Sequence, residues 1–123
     1  IHSSLDDRYL LVNQKFCDML GYSREELLGM STRDVVHPDD RYTDGKRRER
    51  LLANVITSFS GEKRYCRKDG SVFWVNRTVS VARDEDGKPL YLIRREAAAL
   101  VARIDGKDAA PSPPGGSEKT VAC

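Results

Sequence analysis

The clearest alternation of apolar and polar positions lies between Gly61 and Ala82, GEKRYCRKDGSVFWVNRTVSVA. Two runs rich in β-branched and aromatic residues flank Lys68-Asp69-Gly70-Ser71, and an Asp-Gly pair placed there predicts a β-hairpin. From Phe73 onward, Phe73, Val75, Arg77, Val79 and Val81 share one face, while Trp74, Asn76, Thr78 and Ser80 share the other. The first set is the more apolar and is expected to look inward. A lone hairpin is marginal in water, so further strands and a covering layer are required.

Short runs at residues 1–5 and 9–13, separated by the polar Asp6-Asp7-Arg8, predict a second hairpin with Tyr9-Leu10-Leu11-Val12 as its better strand. Asn13 can cap a helix over Gln14–Leu20, in which Phe16, Met19 and Leu20 fall at helical spacing and Gly21 ends the turn. Ser23-Arg24-Glu25-Glu26 is a capping box for a short helix carrying Leu27 and Leu28, with Gly29 as its stop. His37-Pro38-Asp39-Asp40 then announces a longer helix, expected to run to about Ser58. Val36, Leu51, Leu52, Val55, Ile56 and Phe59 supply its apolar side, Lys46 to Arg50 its charged side, and Gly45 weakens its middle. After the hairpin, Asp84-Glu85-Asp86-Gly87-Lys88-Pro89 turns the chain into a last strand at residues 90–94. The pattern gives five strands, with a helical block after the second. Residues 1–96 are expected to form the folded unit and 97–104 a short helical extension carrying Ala97, Leu100, Val101 and Ile104. The Pro- and Gly-rich residues 105–123 are expected to be a disordered tail.

Composition narrows the function. At 123 residues and 39% hydrophobic content the chain is one domain. Its 21 basic and 19 acidic residues leave a net charge of +2, which implies neither nucleic acid nor an anionic membrane as partner. No apolar run approaches the roughly 20 residues of a membrane helix, and the start lacks the basic-then-apolar order of a signal peptide. Cys17, Cys66 and Cys123 are odd in number and without CxxC spacing, against a disulfide framework or a zinc knuckle. A soluble, cytoplasmic piece of a larger protein is the expectation.

The order strand, VNQKFCDMLGYSREELLG, DVVHPDDR, long helix, RYCRKDGSVFWVNRTVSVARDEDGKPLYLI closely resembles a PAS domain with its PAC-type second half, over roughly residues 1–94. The resemblance implies an α+β fold with a five-stranded antiparallel sheet in the order 2-1-5-4-3 and helices packed on one face around a small cavity. It also implies a sensory or dimerising module of a signalling protein, of the histidine kinase (two-component) or diguanylate cyclase type, and no enzyme activity of its own. Where many relatives carry an Asp-Ile-Thr element after the last strand, this chain has Arg94-Arg95-Glu96-Ala97-Ala98.

The resemblance also sets the cofactor expectations. Flavin-type light sensors hold their chromophore through a Cys in an Asn-Cys-Arg-Phe-Leu-Gln motif, which is absent here, and Cys17 comes too early. Haem-binding members take an axial His from the long helix, and there is none between Asp39 and Ser58. Haem and covalent flavin are therefore disfavoured, and non-covalent flavin stays open with no motif that requires it. His37, Asp39 and Asp40 can be drawn as a metal site, but acids at a helix start are explained by its dipole, and no metal is expected. No nucleophile sits at a known spacing from a base, so no catalytic residue is assigned.

Arg77 stands out. Strand alternation sends it inward with Val75, Val79 and Val81, and a buried guanidinium needs an anion. The plainer source is a carboxylate of the same domain, with Glu96, Glu25 and Glu26 as candidates; the sharper one is a small anionic ligand. The third reading is a one-residue register shift or a bulge that turns Arg77 outward. The first function reading is small-molecule sensing, of an anionic or apolar ligand, with Tyr65, Val75, Arg77 and Val79 from the sheet and Met19 and Phe59 from the helices as the site. The second is a ligand-free dimerisation module. Trp74, Tyr91 and Ile93 on the outer face are then the candidate interface of a weak homodimer, and the parent protein's output domain is the further partner.

Overall fold

The computed structural model describes residues 1–98. Strands β1 (His2–Ser3) and β2 (Tyr9–Leu11) open the chain. Helices α1 (Gln14–Leu20), α2 (Arg24–Leu28) and α3 (Gly45–Leu52) follow, with short 3-10 turns at Thr32–Val35 and Pro38–Asp40. Strands β3 (Ser58–Cys66), β4 (Val72–Arg83) and β5 (Pro89–Ala98) close it. The five strands form one antiparallel sheet in the order β2-β1-β5-β4-β3, the order the resemblance implies.

Local chemistry accounts for the short elements. The Asn13 side chain accepts the Phe16 N–H at 2.8 Å, and Gly21 ends α1 at φ 83°, a left-handed conformation in which any other L-residue would be strained. Ser23 and Glu26 form the reciprocal capping box expected for α2. The β3–β4 turn closes through Arg67 N–H to Ser71 O at 2.8 Å, with Gly70 at φ 90°.

The long helix expected from Pro38 to about Ser58 is not there. Pro38–Asp40 is a single 3-10 turn, α3 begins only at Gly45, and Asn54 at φ 62° follows its C-cap, so that β3 already starts at Ser58. Gly45 lowers helix propensity where the break occurs, and Asn54 takes the left-handed position that helix ends favour. The last strand also differs. It runs through Ala98 where a helix was expected from Ala97, while residues 99–104 and the expected tail at 105–123 lie outside the described residues.

Two apolar clusters fill the space between the helices and one sheet face. Phe16, Cys17, Leu20 and Leu27 pack with Tyr9, Tyr65 and Val75; Leu51 packs with Phe59, Val79 and Leu92. Burying these side chains is the main driving force for the fold. The alternation of β4 is realised as expected: Val75, Arg77 and Val79 are buried on the face that meets the helices. Among the described residues no helix is long and apolar enough to cross a membrane.

Candidate functional site

Three adjacent strands each deliver a cation to the inner face of the sheet. Lys63 of β3, Arg77 of β4 and Arg94 of β5 are 6%, 5% and 8% exposed, burial that cationic side chains reach only with partners. The register brings them together. Arg77 faces Gly61 on one side and Glu96 on the other, so Lys63 and Arg94 each sit one diagonal step from it, within reach of long side chains. Gly61 keeps that step open: a Cβ there would come within 3.3 Å of the Arg47 guanidinium, which donates to Ser60 O at 2.7 Å.

Two aspartates from loops meet these cations. Asp44, just before α3, pairs with Arg77, with Lys63 at 3.0 Å and with Arg47 at 2.6 Å. Asp7, in the turn between β1 and β2, pairs with Arg48 at 2.7 Å, Arg33 at 3.1 Å and Arg94 at 3.7 Å. Arg94 also donates to Ser3 Oγ at 2.9 Å. Burial alone would raise the Asp44 carboxyl, but Arg77, with Arg47 and Lys63, outweighs it and holds the group down at about 2. Burial pulls the Lys63 ammonium below its usual range, and the neighbouring Arg77 charge adds to that against the pull of Asp44. Arg94 is lowered mainly by burial.

Between the clusters lies a cavity of about 190 Å³, walled by Val36, Phe59, Val79 and Leu92 and by the charged groups Asp7, Arg33, Arg41, Asp44, Arg48, Lys63, Arg77 and Arg94. Of the residues expected to bind a ligand, the structure brings Phe59, Arg77 and Val79 into this wall. Tyr65 and Val75 lie in the neighbouring apolar cluster instead. Met19 packs against that cluster and borders a second hollow of about 780 Å³ between α1 and the end of β5.

The partner of Arg77 is a correction. Asp44 holds it, not Glu96, Glu25 or Glu26. Glu96 accepts a hydrogen bond from the Tyr65 hydroxyl, Glu26 accepts one from Lys68 at 2.7 Å, and Glu25 lies in the first turn of α2. Although Glu96 is partly covered as a residue, its Oε1 is buried without a hydrogen-bond partner among the described residues, and burial pushes the carboxyl up to about 8.

Asp7, Lys63, Arg94 and Arg48 were missed in the sequence. Lys63 and Arg94 had a signal, since each alternates in phase with buried neighbours, Tyr65 and Leu92. Asp7 had none: a polar turn residue normally faces water, and here it is 5% exposed. Arg48, expected on the charged side of the helix, turns inward onto Asp7, while Arg47 reaches Asp44 with its head still open to solvent.

The remaining candidates are engaged locally. His37 Nδ1 accepts the Asp39 N–H at 3.1 Å, and Asp40 takes the Arg64 guanidinium at 2.9 and 3.1 Å, so neither points into the cavity wall. On the outer face, Trp74 carries the Arg64 guanidinium 5.6 Å from its ring, Tyr91 stacks on His2 at 4.6 Å, and Ile93 pairs with His2 in the sheet; all three are half-buried.

A sheet in this order, with its helices inserted after the second strand and a cavity against its inner face, is the architecture that the resemblance implies. The PAS fold family model matches residues 9–94. The chain belongs to the PAS family. It is 39% identical over 88 residues to the probable diguanylate cyclase DgcE of Escherichia coli K12, which covers 72% of this chain and 8% of that protein. It is 28% identical over 89 residues to the sensor histidine kinase TmoS of Ectopseudomonas mendocina, covering 72% and 9%. The chain thus spans under a tenth of the length of these two relatives. In structure it is similar to the PAS-B domain of Drosophila melanogaster Cycle, with a TM-score of 0.70, 17% identity, and 79% and 95% of the two chains covered. This PAS domain is a sensory or interaction fold of signalling proteins and not catalytic machinery in itself.

Proposed function

We propose that this PAS domain is the sensory module of a larger cytoplasmic signalling protein, of the diguanylate cyclase or two-component histidine kinase type, and that it registers a small molecule in its internal cavity. The observation that carries this reading is the cavity of about 190 Å³ against the inner sheet face, where polar groups converge on an apolar wall. The Cycle PAS-B structure, described with bound ethylene glycol, supports it by analogy of fold. Occupancy would shift the 3-10 turn and α3, whose Asp44 ties the helical layer to the sheet, and so pass a change of state toward an output domain joined through β5 and the PAC-type half. Native mass spectrometry of freshly purified protein tests the reading: a stoichiometric bound small molecule is expected. An empty protein whose melt responds to no member of a library of neutral, cationic and anionic metabolites would overturn it.

A second reading, a ligand-free dimerisation module, is favoured by Trp74, Tyr91 and Ile93 on the outer face, where aromatic anchors concentrate interface energy. It predicts a weak homodimer and an indifferent cavity.

A further inference from the structure

The charge around the cavity does not balance. Lys63, Arg77, Arg94 and Arg48 have side chains 7%, 4%, 8% and 20% exposed, and they face two carboxylates, Asp7 and Asp44. Four cations against two anions leave two positive charges inside. The same two aspartates also serve Arg33 and Arg47, whose heads reach solvent, so their negative charge is shared further still. Of the other acids nearby, Asp40 is taken up by Arg64 and Glu96 by the Tyr65 hydroxyl. Buried charge without compensation is costly, and an excess of two positive charges at this wall calls for an anion to offset it. One donor shows where compensation is missing: Arg77 Nε is buried and has no hydrogen-bond partner among the described residues, on a side chain that lines the cavity.

We propose that this cavity is an anion site that takes a small divalent oxyanion, a compact phosphate-type or dicarboxylate group, between Arg77, Lys63 and Arg94. The proposal rests on the sensory reading above and gives its ligand a chemistry. Charge sets the valence, since two negative charges neutralise the two in excess. Volume sets the size, since about 190 Å³ is below the roughly 300 to 1,000 Å³ of sites for drug-sized molecules. Guanidinium forks match the planar oxygens of carboxylate and phosphate, and the Lys63 ammonium adds a point charge. The way in is at Tyr42 and Arg33, which border the cavity, face solvent and lie 5.2 Å apart as a cation–π pair.

The test is a set of thermal melts and titrations of the whole 123-residue chain. Inorganic phosphate, sulfate and succinate are each compared with sodium chloride at matched ionic strength and with glycerol as a neutral polyol. At about ten times its dissociation constant, a dianion that binds the native state is expected to raise Tm by about 5 °C or more beyond chloride. A response to phosphate and sulfate alone assigns a phosphate-type group, and a response to succinate alone assigns a dicarboxylate. Arg77→Met is expected to keep the fold, because Asp44 retains Lys63 and Arg47, and to weaken dianion binding at least about tenfold. Lys63→Met serves as the second variant, with the same expectation. Dianions that act no more than chloride would overturn the anion site, and a small molecule still found bound by native mass spectrometry would leave the sensory reading standing. Dianions that bind wild type and both variants equally would place the anion elsewhere on the surface and overturn it too. If no dianion shifts any melt the anion site falls, whereas the sensory reading falls only if the freshly purified protein is also empty and no member of the wider metabolite library shifts its melt.

Discussion

Arg77 and Glu96 stand directly opposite each other across β4 and β5, yet each side chain turns away to a different partner: Arg77 to Asp44, and Glu96 to the Tyr65 hydroxyl. A cross-strand cation and carboxylate at adjacent positions would ordinarily pair. Here the carboxylate is kept in an apolar setting that raises it, and the guanidinium is met by an anion from the helical layer. The buried strand cations thereby take their carboxylates from loops, Arg94 from Asp7 and the other two from Asp44, which makes Asp44 the tie between the helical layer and Arg77 and Lys63.

That tie predicts an asymmetry. Asp44→Asn removes the one carboxylate shared by Arg77, Lys63 and Arg47 and should destabilise the domain by about 3 to 5 kcal/mol, the range for a buried pair that loses one partner. Arg77→Leu leaves Asp44 with two cations and should cost less, within about 2 kcal/mol. Urea unfolding of both variants checks this; equal losses would mean that Arg77 alone holds Asp44.

Much of this framework was legible in the sequence because it rests on local rules. The caps at Asn13 and Ser23, the stop at Gly21 and the hairpin turn at Gly70 are decided within a few residues of chain, and the inward face of β4 follows from alternation alone. The expected long helix failed because propensity reads residue by residue, while the chain at Asp44 is held by cations 19 and 33 residues away in sequence, at Lys63 and Arg77. The same reason hid the site. That Arg77 is buried could be read from its strand; that its anion comes from a loop before α3 could not. Lys63 and Arg94 were readable by the same alternation, but a Lys or Arg in a strand is usually taken to face water, and only the pairing of three strands shows that all three cations crowd one spot.

Glu96 makes stability depend on pH between about 4.5 and 8. Its native carboxyl lies at about 8 and its ordinary value at 4.5, so between these the native state holds a proton that the unfolded state has lost. Stability is then fully present below about 4.5, falls as pH rises, and levels off above about 8, with a total of at most about 5 kcal/mol. Glu96→Gln should flatten this limb and leave the variant the more stable of the two at pH 8. Denaturant midpoints at pH 6, 7 and 8 decide it, and parallel curves for the two proteins would show that Glu96 is solvated.

Asp44 acts in the opposite direction and at the acid end. Its native value of about 2 lies below the ordinary 3.8, so the unfolded state takes up the proton first. The contribution is whole above about pH 4 and is lost as pH falls toward 2, amounting to about 2 kcal/mol. Acid titration of wild type against Asp44→Asn should show the wild-type limb steeper in that window.

The outer face gives the last prediction. Trp74 lies there half-buried beneath the Arg64 guanidinium, on the strand whose other side carries the buried Arg77, and Tyr91 and Ile93 share its face. If this face joins a second copy, Trp74 is the aromatic anchor, and Trp74→Ala should weaken the dimer by about 1 to 3 kcal/mol while leaving the melt of the monomer nearly unchanged. Arg64 sharpens the test, because its guanidinium is held by Asp40 as well as lying over the ring. Arg64→Ala removes that cover and exposes the ring, so a dimer built on Trp74 should tolerate Arg64→Ala better than Trp74→Ala. Sedimentation across a concentration series measures both constants. A protein that stays monomeric at the highest concentration, or a dimer indifferent to Trp74, would leave this face as the outer wall of a sensor and favour the cavity as the place where its signal enters.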